Sequence, residues 1–396
     1  MKIGWFSNWF SLNHKRDSAI PKNIRETLVL KELFKYGQVV WVGSSSDPKV
    51  VKITGNTINA GGILKGVPRY DKNRWGNSAN YVHDIVVNYP KYKGSDLPEV
   101  DCVFVRVLPS FIYENLKIYL MLYRYGLRGT PVFARDLELI MIKRFITNGP
   151  SANKPFGISG SDNAFTYKDW NIMNKNLTIL APIPPKGIEF LEKRAPHLKF
   201  KTFYFPYDRV LYPTMQLENP LRYVTYIGND TGRRYGFSKY FKNLPQDFVY
   251  VYGGAARQIN KEEKGFPQAF QARLPNIKWH SPIPHYRVNA IYNTSVTCMN
   301  IPRPYFNKVG FVSARFLEAA FSGAVLLLPE EFLGASYWTG DTDLVIKDSA
   351  HLRNVAETLF GNRTLRKEML EVQRETLKAE CDVTKNVHNI LWFEGL

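Results

Sequence analysis

Apolar and polar positions fall into two regimes along the chain. Short apolar runs rich in Val, Ile and Phe read as covered strands. Between them lie stretches in which apolar residues recur every third or fourth position, the mark of amphipathic helices. The opening "KIGWFS" (Lys2 to Ser7), the helix-like "IRETLVLKELFKYG" (Ile24 to Gly37) and the strand-like "QVVWVG" (Gln38 to Gly43) make a βαβ start. "DCVFVRV" (Asp101 to Val107), "PVFAR" (Pro131 to Arg135) and "LTILAP" (Leu177 to Pro182) continue it, with a helix predicted near Phe111 to Tyr125. After "FYFPYD" (Phe203 to Asp208) the pattern restarts: "RYVTYIG" (Arg222 to Gly228), "FVYVYGG" (Phe248 to Gly254), "SVTCMN" (Ser295 to Asn300) and "AVLLLP" (Ala324 to Pro329) alternate with helix-sized segments. The pattern predicts an α/β protein of two Rossmann-like domains, 1–205 and 206–380. A terminal helix within 381–396 is expected to cross back to the first domain.

Two stretches break the rhythm. Gly61 to Tyr81 and Ile146 to Phe165 are rich in Gly, Asn and Ser, are dotted with basic and aromatic residues, and read as long irregular loops. Loops of that length in a compact domain are functional or simply tolerated insertions. The segment "GFVSARFLEAAFSGAVLLLPEEF" (Gly310 to Phe332) is more regular. At 3.6 residues per turn Arg315, Glu318 and Ser322 share one face of a helix, and Phe316, Leu317, Ala320 and Phe321 cover the other. Gly323 ends that helix and an all-apolar strand follows. The plain reading of Arg315 and Glu318 is a surface ion pair, worth about 0.2–0.5 kcal/mol.

Composition narrows the choices. A chain of 396 residues exceeds one ordinary core, and 23 Tyr with 25 Phe supply ample material for two. The 53 basic against 35 acidic residues leave a net charge of +18, which implies a polyanionic partner such as nucleic acid or an anionic surface. No apolar run reaches the roughly 18 residues of a membrane span, and the N-terminus lacks a secretory signal, so a cytoplasmic protein is expected. Cys102, Cys298 and Cys381 are odd in number and far apart, which argues for reduced, buried thiols. His280 and His285 are the closest histidine pair and read as structural; neither shows metal-ligand spacing with other residues.

In open α/β sheets ligands bind beyond the carboxyl ends of strands, where helix N-termini and glycine turns accept anions. Three places satisfy this. "YIGNDTGRRYG" ends a strand at Gly228 and leads through Gly232 to Arg233 and Arg234; "YGGAAR" (Tyr252 to Arg257) runs a strand into Gly253 and Gly254. The third is Arg315 near its helix start, with Glu318 one turn on and able to accept from two adjacent hydroxyls. Together they describe a pyrophosphate and a ribose, hence a nucleotide in the second domain. No P-loop or "GxGxxG" is present, which leaves nucleoside triphosphatases and dinucleotide oxidoreductases unsupported, and "GISGS" (Gly157 to Ser161) lacks nucleophile-elbow spacing. "DTD" (Asp341 to Asp343) reads as a turn before a strand.

"ARFLEAAFSGAVLLLPEEF", "LRKEMLEVQRETL" (Leu365 to Leu377), "IRETLVLKELFKYG", "FYFP" and "IPHYRV" (Ile283 to Val288) occur in an order that resembles the phage DNA β-glucosyltransferases. The resemblance covers most of the second domain and scattered blocks of the first. It implies the GT-B fold, two Rossmann-like domains facing a cleft. The implied activity is transfer of a sugar from a UDP-sugar to the hydroxymethyl group of 5-hydroxymethylcytosine in duplex DNA, with inversion and base flipping, by a monomer in the cytoplasm of an infected bacterium. By the same resemblance Glu318 binds ribose, Arg315 and Arg234 bind diphosphate, a backbone group near Ile283 meets uracil, Asp136 is the base and Glu26 holds sugar hydroxyls. One family arginine is absent near Asp230 and Thr231, which shifts phosphate contacts toward Arg233 or Lys308, and a divalent cation (Mg or Mn) can assist. Taken by themselves, Asp136 reads as a helix cap and Glu26 as a first-turn carboxylate. A GT-B enzyme acting on a cell-surface glycan and a non-enzymatic DNA-binding protein remain the alternatives.

Overall fold

The computed structural model describes residues 1–6, 20–41, 63–70, 81–88, 99–106, 124–135, 175–253 and 270–395, apart from 197, 210, 218, 231 and 394. The described residues fall into two compact units, one holding those up to Pro206 together with those from Asp382 onward, the other Tyr207–Cys381.

The first unit is built from β1 (Lys2–Phe6), α1 (Ile20–Leu33), β2 (Gln38–Trp41), β3 (Ile63–Tyr70), β4 (Tyr81–Asn88), β5 (Cys102–Arg106), β6 (Val132–Arg135), β7 (Leu177–Ala181), α2 (Pro185–Arg194) and β8 (Lys199–Thr202). Its eight strands run β4-β3-β2-β1-β5-β6-β7-β8. All neighbours are parallel except β2–β3 and β3–β4. That antiparallel hairpin corrects the reading of Gly61 to Tyr81 as wholly irregular. Gly66 and Pro68 hide β3 from a pattern search, because a proline within a run demotes it as a strand. The structure tolerates Pro68 because β3 meets β2 only at Ile63, so farther along it is paired on the β4 side alone. The helix written into "IRETLVLKELFKYG" begins earlier, at Ile20, and ends at Leu33. Most of the helix expected near Phe111 to Tyr125 and all of the Ile146 to Phe165 stretch lie outside the described residues.

The second unit contains β9 (Arg222–Ile227), α3 (Arg234–Phe241), β10 (Val249–Tyr252), β11 (Ile277–His280), α4 (Val288–Asn293), β12 (Ser295–Met299), α5 (Pro304–Val309), α6 (Ala314–Ser322), β13 (Val325–Pro329), α7 (Ala335–Thr339), β14 (Val345–Ile346), α8 (Ser349–Gly361) and α9 (Arg363–Glu380). All six strands are parallel, in the order β11-β10-β9-β12-β13-β14. Strands β12 and β13 are buried at every position, as strands covered on both faces are. One face buries Val224, Tyr226, Val249, Val251 and Leu327 with Phe237, Tyr240 and Phe241 of α3, and with Leu352 and Leu370 from α8 and α9. The other buries Ile227, Tyr252 and Cys298 with Val288 and Tyr292 of α4 and Ala319 of α6.

The strand order reverses at β9, which lies between β10 and β12. The carboxyl ends of β9 and β12 therefore flank the topological switch point, the crevice where doubly wound sheets take their ligands. Helix α6 is pinned there from behind: Arg374 of α9 donates through Nε to Ala320 O at 2.8 Å, near the last turn of α6, which Gly323 ends in a left-handed conformation. Gln373, fully buried, bonds both backbone groups of Leu326 at 2.9 and 3.0 Å and so fixes α9 to β13.

The last helix, α10 (Val383–Phe393), belongs to the first unit. Its Val387, Ile390 and Leu391 share a core with Ile3 and Trp5 of β1 and with Val29, Leu30 and Leu33 of α1. The expected crossing back of the terminal helix is thus present.

Candidate functional site

At the end of β9 the chain turns through Gly228, whose φ of 147° suits glycine. A Cβ there would come within 2.5 Å of Arg315 Nη2, so the backbone and the guanidinium touch only because the side chain is missing. Tyr226 Oη donates to Asn229 O at 3.0 Å, and Arg233 Nη1 donates to Asn229 Oδ1 at 3.1 Å. Arg233 Nε donates to Ile301 O at 2.8 Å. This arginine ties the loop after β9 to the loop after β12, across the switch point.

Arg315 stands in the first turn of α6, half-buried, its guanidinium carbon 5.9 Å from the centre of the Tyr226 ring. Burial alone would lower its pKa; the surrounding Tyr226, Tyr292 and Glu318 offset that and raise it, so the group is a fixed cation. Arg233 moves the other way. Burial lowers its pKa first, and the nearby positive charges of Arg315 and Arg303 lower it further, outweighing Tyr226 and Tyr305. Three guanidinium groups thus share one small space.

Glu318, one turn beyond Arg315, forms no ion pair with it. Its Oε1 faces His285 Nε2 at 3.4 Å instead, which places His285, read from the sequence as structural, against the candidate ribose carboxylate. The 3₁₀ turn His285–Arg287 that carries this histidine follows Ile283, which packs on the apolar cluster of Ile227, Tyr252 and Val288. Ser322, expected on the same outward stripe, is buried and donates to Asn289 Oδ1 at 3.2 Å. Gly228, Arg233, Ile283, Arg315 and Glu318 are therefore gathered around the ends of β9, β11 and β12.

Other expected residues lie differently. Arg234 directs its guanidinium to the ring of Phe270, 5.5 Å away. Lys308 is exposed in the last turn of α5. Gly254 and Asp136 lie outside the described residues. Glu26, in the first unit, is buried, and both its oxygens are engaged by Arg135, through Nη1 to Oε1 at 3.2 Å and through Nη2 to Oε2. Arg135 in turn lies 4.5 Å over the Trp5 ring. This pairing ties Glu26 to the end of β6. Two residues of the second-unit site escaped the sequence reading. Arg303 follows the carboxyl end of β12 in "IPRPY", and Tyr226 occupies an inward position of β9; the strand-end rule that found Arg233 also points to Arg303.

Among the described residues no group of three or more His, Cys, Asp or Glu is placed to hold a metal ion, and no helix is long and apolar enough to cross a membrane.

Residues 233–391 match a family model described as glycosyl transferase-like. Similar solved structures cover the whole chain. The T4 phage BGT in complex with its UDP-glucose substrate superposes with a TM-score of 0.56 at 14% identity, over 99% of each chain. The architecture is that of the GT-B glycosyltransferases. An alpha-glucosyltransferase in complex with UDP and a 13-mer DNA containing a HMU base matches at 0.53 and 12% identity, over 99% of this chain and 98% of that one. The sucrose-phosphate synthase (tll1590) from Thermosynechococcus elongatus matches at 0.55 and 12% identity over 100% of both chains. No curated protein matches the sequence. At these identities the structural likeness speaks for fold alone.

Proposed function

We propose that the protein is a UDP-sugar-dependent glycosyltransferase that modifies duplex DNA, moving a sugar to the hydroxymethyl group of 5-hydroxymethylcytosine. The observation that carries the donor half is the pairing of clustered guanidinium groups with a carboxylate one helical turn away, at the switch point of the second sheet. Arginines suit a diphosphate, and Glu318 suits the two hydroxyls of a ribose. The similarity of the fold to a phage enzyme solved with UDP-glucose supports this reading. The acceptor half rests on the net charge of +18, which suits a phosphate backbone, and on the likeness to an alpha-glucosyltransferase solved with UDP and DNA.

The chemistry follows from these parts. Departure of UDP leaves negative charge on the β-phosphate, and preorganised cations meet it without reorganisation cost. Asp136, next in sequence to the last residue of β6, takes the proton of the hydroxymethyl group as its oxygen attacks the anomeric carbon from the face opposite UDP, which inverts the configuration. General base assistance of this kind contributes about 10²–10⁴ in rate. A pyrimidine stacked in a duplex must first be flipped out, at a cost of a few kcal/mol that phosphate contacts offset.

The test is mass spectrometry of nucleosides from hydroxymethylated and unmodified duplexes treated with the protein and a panel of UDP-sugars. A sugar-modified hydroxymethylcytosine supports the reading. UDP-sugar hydrolysis or binding with no DNA product overturns the acceptor half and favours another GT-B acceptor. Under single-turnover conditions Asp136→Asn should lower transfer by roughly 10² or more while UDP affinity holds. Wild-type rates in that variant would remove Asp136 as the base.

A further inference from the structure

Arg303 has the setting of an anion-binding residue. Pro302 and Pro304 flank it, and their rings restrict the backbone on both sides, so it is held extended (φ −67°, ψ 152°) at the N-cap of α5. Its side chain passes over the second glycine of the loop after β9. A Cβ at Gly232, where φ is 71°, would meet Arg303 Cδ and Nε at 3.6 Å. Arg315 covers Gly228 at the other end of the same loop. Arg303 Nη1 donates to Tyr305 Oη at 3.0 Å, whereas its Nε is buried with no acceptor.

Three guanidinium groups gathered in one space repel one another. Among the described residues no carboxylate lies within ion-pair distance of Arg303 or Arg315. A buried N–H donor without an acceptor is costly, as is clustered positive charge, and an anion held between the two arginines relieves both. Arg233 is bonded into the protein through Asn229 and Ile301, so it is the tie that shapes the loop.

We propose that Arg303 binds the diphosphate of the nucleotide donor, closing with Arg315 a clamp over the Gly228–Gly232 loop, in the role that the family resemblance assigns to Arg234. This rests on the nucleotide reading of the second unit. Arg234 has its guanidinium against Phe270, and Arg303 stands in the loop after β12, beside the Gly228–Gly232 loop after β9. The double-proline frame also lowers the backbone ordering cost of binding a ligand there.

The experiment is calorimetric titration of UDP and of uridine into the wild type, Arg303→Ala, Arg303→Lys and Arg234→Ala, with thermal melting to confirm that each variant folds. Loss of one charge-assisted phosphate contact should weaken UDP by about tenfold or more in Arg303→Ala while uridine affinity stays unchanged, with Arg303→Lys intermediate. Arg234→Ala should weaken UDP less than Arg303→Ala does. Equal loss for UDP and uridine marks a merely structural arginine and overturns the proposal, as does wild-type UDP affinity in Arg303→Ala. If the wild type binds neither ligand, the nucleotide reading itself fails and this proposal falls with it.

Discussion

Glu26 and Arg135 offer the sharpest check on the first unit. They are 2% and 1% exposed, joined by two hydrogen bonds, and Arg135 also lies over Trp5 at 4.5 Å. Glu26→Ala would leave a guanidinium buried without that partner. Breaking one side of a buried pair costs about 3–5 kcal/mol. In a unit of this size each kcal/mol shifts the midpoint by about 2–4 °C, so the first-unit transition should fall by roughly 6–20 °C. Replacing both partners with apolar residues of similar volume, Glu26→Leu with Arg135→Met, should recover most of the loss, since the desolvation cost of both ions disappears together. Scanning calorimetry reads the midpoints. Hydrogen exchange along Leu28–Leu33 of α1 shows that the change belongs to the first unit, to whose core Val29, Leu30 and Leu33 belong. A Glu26→Ala midpoint within about 1 °C of wild type, with transfer abolished, would refute the argument and return Glu26 to the sugar.

Further outcomes concern the second unit and the whole chain. Gly228→Ala forces a Cβ to 2.5 Å from Arg315 Nη2 and should lower UDP affinity by displacing that guanidinium; calorimetry beside Gly232→Ala, where the nearest contact is an ordinary 3.6 Å, checks the steric cause. Arg315→Ala and Glu318→Ala should each weaken UDP about tenfold or more and leave duplex binding nearly unchanged; equal loss of both would mean misfolding. Duplex affinity should fall steeply with salt, because phosphate neutralisation releases counterions, and a flat response would remove the basic surface as its source. Burial raises the Cys102 and Cys298 thiols to about 12, so both should ignore a thiol reagent at pH 8 until the protein unfolds. Their contribution to stability is intact below the unfolded thiol pKa, near 8.5, and is lost as pH rises from there toward about 12, which alkaline melting curves can follow.

Much of the fold was legible because the pattern depends on local periodicity. The run at Val325–Pro329 is buried at every position and wholly apolar, and Arg222–Ile227 and Ser295–Met299 are mostly buried with only short polar residues inside them, Thr225, Ser295 and Thr297. What stayed hidden was short, interrupted or at a sheet edge. Strand β3 carries Gly66 and Pro68, and β11 lies at the edge of its sheet with Lys278 exposed, so neither shows a clean alternation.

The site was legible only to the level of its loops. The rule that ligands lie beyond the carboxyl ends of parallel strands found the turn after Gly228 and the start of α6, because it depends on topology that the strand pattern already fixes. Which arginine faces the anion depends instead on partners far along the chain. Arg233 and Arg234 are neighbours in sequence, but Ile301 O, 68 residues on, takes the first, and the ring of Phe270 takes the second. The same holds for acids: Glu26 reads as a first-turn carboxylate, but its helix begins at Ile20, which puts it in the second turn, and Arg135, 109 residues away, binds both its oxygens. A side chain's commitment is a contest between a ligand and the nearest complementary group of the fold, and long-range pairing settles it. Arg303 is the arginine proposed for the phosphate because, among the described residues, its Nε has no acceptor, a circumstance that its two flanking prolines do not announce in the sequence.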